Sequence, residues 1–576
     1  MMELLLGDEA VGLAALHAGI GAVFSYPGTP ATEILEFVRR RSRADRAHAD
    51  GAASAETALQ EPPVAADWSA NEKAAYEEAL GMSYAGSRAL VSMKHVGLNV
   101  AADPFVNSAL TGANGGLVLA VADDPGMHSS QNEQDSRYYG HFAQVPVLEP
   151  ADQQEAYDMT RDAFELSEAL GLPVMIRLVT RLAHSRANVR VRPPCSRPRR
   201  SRAADWRDWT LLPANARRRY QRLLDVQPAA REALARLPYD KLTLRGPQGV
   251  IASGIANNYV AEALGDDSTW SVLKIGSYPI SAQRVRELVD HCGTIVVVEE
   301  GYPFIESQLR GLLGLPGKSI RGKLDGALPA AGELTADLVA RALGREVTDR
   351  LPEAAPEMSR SLDELPGRPP QLCSGCPHCD TYRAILAAAG PREPLYLFSD
   401  IGCYTLSALP PYSAIDTCVD MGASIGMALG AVKAGARPVI ATIGDSTFIH
   451  SGMTPLIGAA KADADMTVVI LDNAAVAMTG GQEIFATGDE LVALVRGLGV
   501  PAEHVIRIEP LPKHHQENVD LLRHEIEHRG LSVIIASRPC IQLKRRGGSE
   551  PRGVSKRDAQ AAQGCEPLTG LHAAKA

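Results

Sequence analysis

Residues 438–447 read Pro-Val-Ile-Ala-Thr-Ile-Gly-Asp-Ser-Thr, and residues 467–473 read Thr-Val-Val-Ile-Leu-Asp-Asn. Each opens as a short, apolar, β-branched run of the kind that forms a buried strand of a parallel sheet. Each then ends in polar residues. The two polar ends therefore fall at the carboxyl ends of parallel strands, where open α/β sheets bind their ligands. Asp445 and the side-chain carbonyl of Asn473 are hard oxygen donors, and two such oxygens plus phosphate oxygens suit magnesium. Gly444 lets backbone approach a phosphate closely. Gly444-Asp445-Ser446 alone also reads as a plain strand-ending turn. Its pairing with Asp472-Asn473 one βαβ unit later makes the signal much more specific.

The same alternation of helix and strand runs outward from there, so the fold class is α/β, multi-domain, with parallel sheets. In the first segment, residues 1–190, helices are expected at 8–16, 33–39 and 72–85. Strands are expected at 22–26, 89–93, 116–121 and 172–178. Thr29 or Thr32 could cap the helix at Glu33, and residues 39–67 read as a variable loop or surface helix. Residues 191–209 form a basic, Pro-rich stretch without interleaved aromatics, read as a solvated linker rather than a nucleic-acid patch. A smaller βαβ unit spans 210–350, with strands at 248–252 and 294–300 and helices at 257–264 and 304–313. The unit at 365–545 holds most of the chemical punctuation. Residues 546–576 lack periodicity and are expected to be disordered.

Composition sets the outer limits. The chain has 576 residues, 45% hydrophobic and 22% charged, with 51 Gly, 38 Pro and 5% aromatics. That is globular composition for three or four domains of about 100–200 residues each. The net charge of −10 provides no basic field to attract nucleic acid or anionic lipid. The N-terminus lacks a basic n-region, and no apolar run is long enough for a membrane span. Nine cysteines do not form a secreted disulfide pattern, and three of them fall between Cys373 and Cys379. The expected location is the cytoplasm.

Gly-Asp-x followed by Asn some 28 residues on resembles the signature of thiamine diphosphate enzymes. Further stretches narrow the likeness: Tyr26-Pro27-Gly28-Thr29-Pro30, Asn71-Glu72-Lys73, the run 93–99 (Met-Lys-His-Val-Gly-Leu-Asn), the run 373–378 (Cys-Ser-Gly-Cys-Pro-His), the run 399–404 (Ser-Asp-Ile-Gly-Cys-Tyr), the run 421–426 (Met-Gly-Ala-Ser-Ile-Gly) and the run 477–482 (Ala-Met-Thr-Gly-Gly-Gln). In that order, over about residues 5–545, they resemble the alpha (large) subunit of the indolepyruvate ferredoxin oxidoreductases, in the superfamily of thiamine-dependent 2-oxoacid oxidoreductases.

The resemblance implies three kinds of domain: a pyrimidine-binding domain at 1–190, a transketolase C-terminal-like domain at 210–350 and a diphosphate-binding domain at 365–545. It implies thiamine diphosphate and Mg²⁺, with Asp445, Asn473 and the carbonyl of Ala475 on the metal. Further cofactor contacts would come from Gly402, Cys403, Tyr404, Gly422, Gly444, Ser446, Met478 and Thr479. Glu72 matches the carboxylic acid that acts on the aminopyrimidine, although a glutamate at a helix N-terminus is also favoured by the helix dipole alone. Thr29 matches a substrate-facing threonine, and a helix cap is the equal alternative. Lys94 and His95 could bind a carboxylate or polarise a carbonyl, and His378 could carry a proton or be structural.

The implied reaction is oxidative decarboxylation of a 2-oxoacid, an arylpyruvate such as indolepyruvate, to acyl-CoA. A smaller beta subunit and an external electron acceptor would take part, in a dimer or α2β2 assembly. Asp123 to Glu133 is expected to form a loop near substrate or CoA. Cys373-x2-Cys376-x2-Cys379 begins like an iron–sulfur run, but Arg383 stands where the fourth cysteine would be. The family's matching Cys-x-Gly-Cys loop is expected to hold no cluster, and a zinc site using His378 or Cys403 is the alternative. No iron–sulfur cluster is therefore expected in this chain. Relatives append a ferredoxin-like domain whose cysteine runs do not appear after Cys540. That leaves open a non-oxidative thiamine-dependent decarboxylase or carboligase, or a binding subunit that has lost catalysis.

Overall fold

The computed structural model describes residues 1–50, 64–201, 205–347, 370–391 and 395–545. The expected tail at 546–576 and part of the expected loop at 39–67 lie outside the described residues. The chain divides into two compact units, residues 1–368 and 369–576.

The first unit is built on a seven-stranded sheet. Its order is Ser277–Tyr278, Val147–Leu148, Val174–Val179, Leu117–Asp123, Ala89–Lys94, Ala22–Ser25, Ala65–Trp68. All neighbours run parallel except the first pair. Ala89–Lys94, Leu117–Asp123 and Val174–Val179 are buried along their whole length, as central strands covered on both faces must be. The expected strands and helices of this segment appear, with ends displaced by one or two residues except at the end of the helix opening at Thr32. The helix expected at Glu33–Arg39 runs over Thr32–Asp50. Thr32 is its first residue, and its hydroxyl accepts from Gly28 N at 3.0 Å, closing the Pro-Gly-Thr-Pro turn.

The basic stretch after residue 190 is not simply solvated. Cys195 N donates to His17 O, and Arg200 N to Gly86 O. Arg192 pairs with Asp158 at 2.8 Å. Residues 192–196 and 199–200 are nonetheless exposed, as a solvated linker requires. The next helix, Pro213–Arg236, packs back on the same body: Arg219 donates to Leu110 O and Thr111 O, and Arg222 to Leu170 O. These guanidinium groups cap helix carbonyls that have no intrahelical donor.

A second, five-stranded sheet of this unit runs Ser319–Arg321, Thr294–Val298, Gln248–Ser253, Trp270–Ile275, Lys241–Thr243. A buried ionic network joins it to the first sheet. Arg177 donates to Asp123 at 2.7 Å, to Glu149 at 2.5 Å and to Glu300 O at 3.2 Å. Arg137 donates to Asp135 and to Glu300 O.

The second unit carries a five-stranded, wholly parallel sheet: Tyr396–Phe398, Val439–Gly444, Met466–Asp472, Leu531–Ser537, Val505–Ile508. The two strands expected from residues 438–443 and 467–471 are adjacent in it, with Gly444 opposite Leu471. That register sets Asp445 beside the Asp472–Asn473 end. Apolar clusters cover both faces, one including Ile443, Phe448 and Val468, the other Tyr382, Tyr404 and Leu471.

Candidate functional site

In the second unit, the chain leaves the strand Val439–Gly444 at Asp445, which is buried. One carboxylate oxygen of Asp445 accepts from Ser446 N at 2.7 Å. The other accepts from Asn473 N at 3.0 Å and Ala474 N at 2.8 Å. Ala474 bends this loop round the carboxylate with a left-handed backbone, φ 59°, which an alanine adopts only under constraint. The Asn473 side-chain carbonyl accepts from Ala475 N at 3.1 Å, and Asn473 O accepts from Cys540 N at 2.8 Å. Asp445, Asn473 and Ala475 are thus gathered in one loop pair; the spacing pointed to the first two, and the resemblance implied the third.

Burial, and then the Asp472 carboxylate behind it, push the Asp445 carboxyl up to about 8. A buried carboxylate in that state suits a cation beside it, and the local donors are hard oxygens, so the residues fit Mg²⁺. Asp472 itself is spent on the scaffold, accepting from Thr487 Oγ1, Gly488 N and Ser537 Oγ.

The glycines mark where bulk is excluded. A Cβ at Gly444 would lie 2.6 Å from the Tyr404 ring, and one at Gly422 would lie 2.6 Å from Ser451 Cβ. Gly422 also sits at φ +89°, opening the helix Ala423–Lys433. Tyr404, buried, donates its hydroxyl to Asp400, whose other oxygen accepts from Ser424 Oγ at 2.6 Å. Burial pushes the Asp400 carboxyl up to about 6. Asp400 was not singled out from sequence; its place inside Ser-Asp-Ile-Gly was the available signal. Gly402 and Cys403 precede Tyr404 in the same turn. Thr479 donates to Gln482 Oε1 at 2.6 Å and Met478 is half exposed, on a short turn closed by Val476 and Gln482.

His378 lies in the first turn of the helix Pro377–Ala389 and is buried. Burial pushes its imidazole down to about 4, so it is neutral near pH 7. Its Nε2 is 3.2 Å from Asn473 Nδ2. The cysteine loop before it is pinned by Arg538, which donates to Asp380 at 2.8 Å and to Gly375 O at 2.9 Å. Cys376 is pushed up to about 12 by burial and by its neighbours Cys379, Cys403 and Cys373. Cys403 is pushed up to about 11 by burial, then by Cys540, Cys373 and Asp445. Cys403, distant in sequence, therefore stands by Cys373 and Cys376, and Cys540 stands by Cys403. Spacing along the chain did not reveal that.

In the first unit, the other expected residues converge. Glu72 opens the helix Glu72–Tyr84, with Asn71 as its N-cap, accepting from Ala74 N at 2.9 Å. Its buried carboxyl lies against Gly97, where an added Cβ would be 2.6 Å from Glu72 Oε1. Lys94 ends the strand Ala89–Lys94 and donates to Ser129 O at 2.9 Å. Burial pulls Lys94 down to about 8, against the opposing pull of Asp124 and Glu72. Ser129 Oγ donates to Thr29 O at 3.2 Å, and Asp124 accepts from Ser129 N, Ser130 Oγ and Thr180 Oγ1. His95 Nε2 lies 3.2 Å from Asn132 O, while its Nδ1 is buried without a hydrogen-bond partner. The loop from Asp123 to Glu133 thus contacts Thr29, Lys94 and His95.

Relatives share nearly the whole of this chain. An indolepyruvate oxidoreductase subunit IorA of Archaeoglobus fulgidus is 38% identical over 94% of this chain and 86% of its own length. The subunits of the same name from Methanothermobacter thermautotrophicus and Pyrococcus abyssi are each 36% identical, over 93% and 95% of this chain and 86% and 88% of theirs. The chain belongs to the IorA family of thiamine diphosphate-dependent 2-oxoacid oxidoreductases. Two family descriptions agree with that membership: "Pyruvate flavodoxin/ferredoxin oxidoreductase, thiamine diP-bdg" over residues 13–209, and "Thiamine pyrophosphate enzyme, C-terminal TPP binding domain" over 400–536. The second match spans the Asp445–Asn473 loops. IorA family membership favours oxidative 2-oxoacid decarboxylation with ferredoxin-type electron transfer over the lyase or carboligase alternative. No helix among the described residues is long and apolar enough to cross a membrane.

Proposed function

We propose that the chain decarboxylates an arylpyruvate such as indolepyruvate oxidatively to an acyl-CoA. It would act with a smaller beta subunit and an external electron acceptor, as a dimer or α2β2 assembly in the cytoplasm, with neither nucleic acid nor membrane as a partner. The observation that carries the site is the pairing of Asp445 with the Asn473 loop on adjacent parallel strands. In this proposal Asp445, Asn473 and the Ala475 carbonyl hold Mg²⁺. Gly402, Cys403, Tyr404, Gly422, Gly444, Ser446, Met478 and Thr479 shape the cofactor's bed. Thiamine diphosphate supplies the electron sink for decarboxylation when bound. Glu72 exchanges a proton with the cofactor's aminopyrimidine. The Lys94 ammonium binds the substrate carboxylate, His95 Nδ1 meets the substrate carbonyl, and Thr29 borders the substrate. Residues 1–190, 210–350 and 365–545 would be the pyrimidine-binding, transketolase C-terminal-like and diphosphate-binding domains.

The test is dye reduction under anaerobic conditions by the chain with its partner subunit, given arylpyruvates and CoA. Reduction with an arylpyruvate is expected. Failure with every 2-oxoacid sinks the oxidative reading, and aldehyde or acyloin formed without an acceptor would replace it. If Glu72→Gln left turnover unchanged, the catalytic assignment would fall.

The oxidative reading also needs an acceptor for single electrons. The Cys373–Cys379 loop is expected to hold no iron–sulfur cluster, so in this proposal the electrons pass to the partner subunit or to an external acceptor. Iron and acid-labile sulfide in anaerobically purified protein would overturn that expectation; thiamine-replete protein free of both would support it.

A further inference from the structure

Away from these residues, in the first unit, Asp8 is completely buried and neither of its carboxylate oxygens has a hydrogen-bond partner. It lies in the first turn of the helix Gly7–His17. Glu33 lies in the first turn of the helix Thr32–Asp50, and His184 ends the helix Thr180–His184. Glu33 Oε2 and His184 Nε2 are 3.5 Å apart. One ligand atom each from Asp8, Glu33 and His184 lies within 4.8 Å of the others, the only such trio among the described residues.

We propose that Asp8, Glu33 and His184 form a site for a divalent transition-metal ion of the Mn²⁺, Fe²⁺ or Zn²⁺ class. Two carboxylates and one imidazole are a mixed O,O,N donor set, which such ions accept and Ca²⁺ or Mg²⁺ do not prefer. Two carboxylates with a neutral imidazole carry −2, so a divalent ion neutralises the site. Without an ion, a fully buried carboxylate beside a second one must take up a proton, and burial and then Glu33 hold the Asp8 carboxyl well above the usual range. The 3.5 Å between Glu33 Oε2 and His184 Nε2 is already close to the roughly 3.4 Å ligand spacing of a loaded tetrahedral site. His184 and Glu33 are each about one-third exposed, giving the ion an entry path and room for water ligands. The ion would tie two helix N-termini to a third helix end, four residues from Thr29. This site is independent of the thiamine assignment and of the thiol group.

The test is Mn²⁺ binding to the full chain, counted by electron paramagnetic resonance. Mn²⁺ is chosen because thiols compete for it weakly. The proposed Asp445 site also accepts Mn²⁺, so the comparison is by difference with Asp8→Asn and His184→Gln. Asp8→Asn is isosteric, and His184 is exposed enough for its variant to fold. The wild-type chain should bind one equivalent more than either variant, or bind that equivalent at least about tenfold more tightly. Mn²⁺ should also raise the thermal midpoint of the wild type by more than it raises that of His184→Gln. Equal stoichiometry, affinity and thermal shift in all three chains would overturn the proposal and leave Asp8 as a buried neutral acid.

Discussion

His378 Nε2 stands 3.2 Å from the side-chain nitrogen of Asn473. The imidazole is neutral near pH 7, so it accepts and the amide donates, which fixes the amide's orientation. The Asn473 carbonyl is thereby turned the other way, toward Ala475 N. His378 then acts first as a positioning residue for a proposed metal ligand. His378→Ala should weaken retention of Mg²⁺ and thiamine diphosphate by about 10- to 100-fold, the usual effect of losing a ligand's supporting hydrogen bond. His378→Asn should recover part of it. Equilibrium dialysis of the cofactor checks this. A fall in kcat with unchanged cofactor affinity would instead make His378 a proton carrier.

Gly97 is where the Glu72 carboxyl rests. A methyl group there would sit 2.6 Å from both Glu72 Cγ and Oε1, closer than any real contact, so the carboxyl must move. Gly97→Ala should lower kcat by about 10²-fold, since displacement of a catalytic group by about 1 Å costs that much. Glu72→Gln should cost about 10²- to 10⁴-fold through the lost proton transfer. Steady-state kinetics at saturating cofactor separates them from a folding defect, provided circular dichroism is unchanged.

The sheet and the Asp445 and Asn473 loops were legible because they rest on local signals: β-branched runs for the strands, and oxygen-bearing residues at their ends. What sequence missed has identifiable causes. Ala65–Trp68 is an edge strand, Ala-Ala-Asp-Trp, with no β-branched residue to mark it. The helix Pro213–Arg236 is rich in arginine and contains Pro228, and its partners are carbonyls over 50 residues away. The approach of Cys403 to Cys376 and Cys373, and of Cys540 to Cys403, depends on which strands are neighbours, and cysteine spacing along the chain says nothing about that. Asp8 was read only as part of a helix, because an unpaired buried carboxylate looks like any exposed one until burial is known.

Lys94 sets a pH dependence. Burial pulls its ammonium down to about 8, so the charged form is populated below that pH and lost above it. If it binds the substrate carboxylate, kcat/KM should be level below pH 8 and fall about tenfold per unit above it. The break in kcat should come at higher pH, because a bound anion favours the ammonium. Lys94→Met should raise KM and remove the break near 8. Lys94→Arg keeps the charge, so its break should also vanish, but with a smaller rise in KM. A pH–rate series on the three chains tests this; a break that persists in Lys94→Met belongs to another group.

Arg177 carries the largest stability prediction. It is fully buried on the central strand Val174–Val179 and touches Asp123 and Glu149 through side chains and Glu300 through its backbone. Asp135 lies 3.7 Å away. Removing one partner from such a network leaves buried charge uncompensated, which costs about 3–5 kcal/mol, more than the pair contributes over an apolar replacement of the whole set. Arg177→Met should therefore lower the unfolding free energy by that amount. Arg177→Lys should not restore it, because an ammonium cannot reach three acceptors in the planar geometry of the guanidinium. Glu300 directly follows the strand Thr294–Val298 and its neighbour Glu299, so the loss also loosens the second sheet. Hydrogen exchange in the variant should show amides of Gln248–Ser253 and Thr294–Val298 opening ahead of those in Leu117–Asp123. Uniform exchange across both sheets would mean that the network does not hold the second sheet selectively.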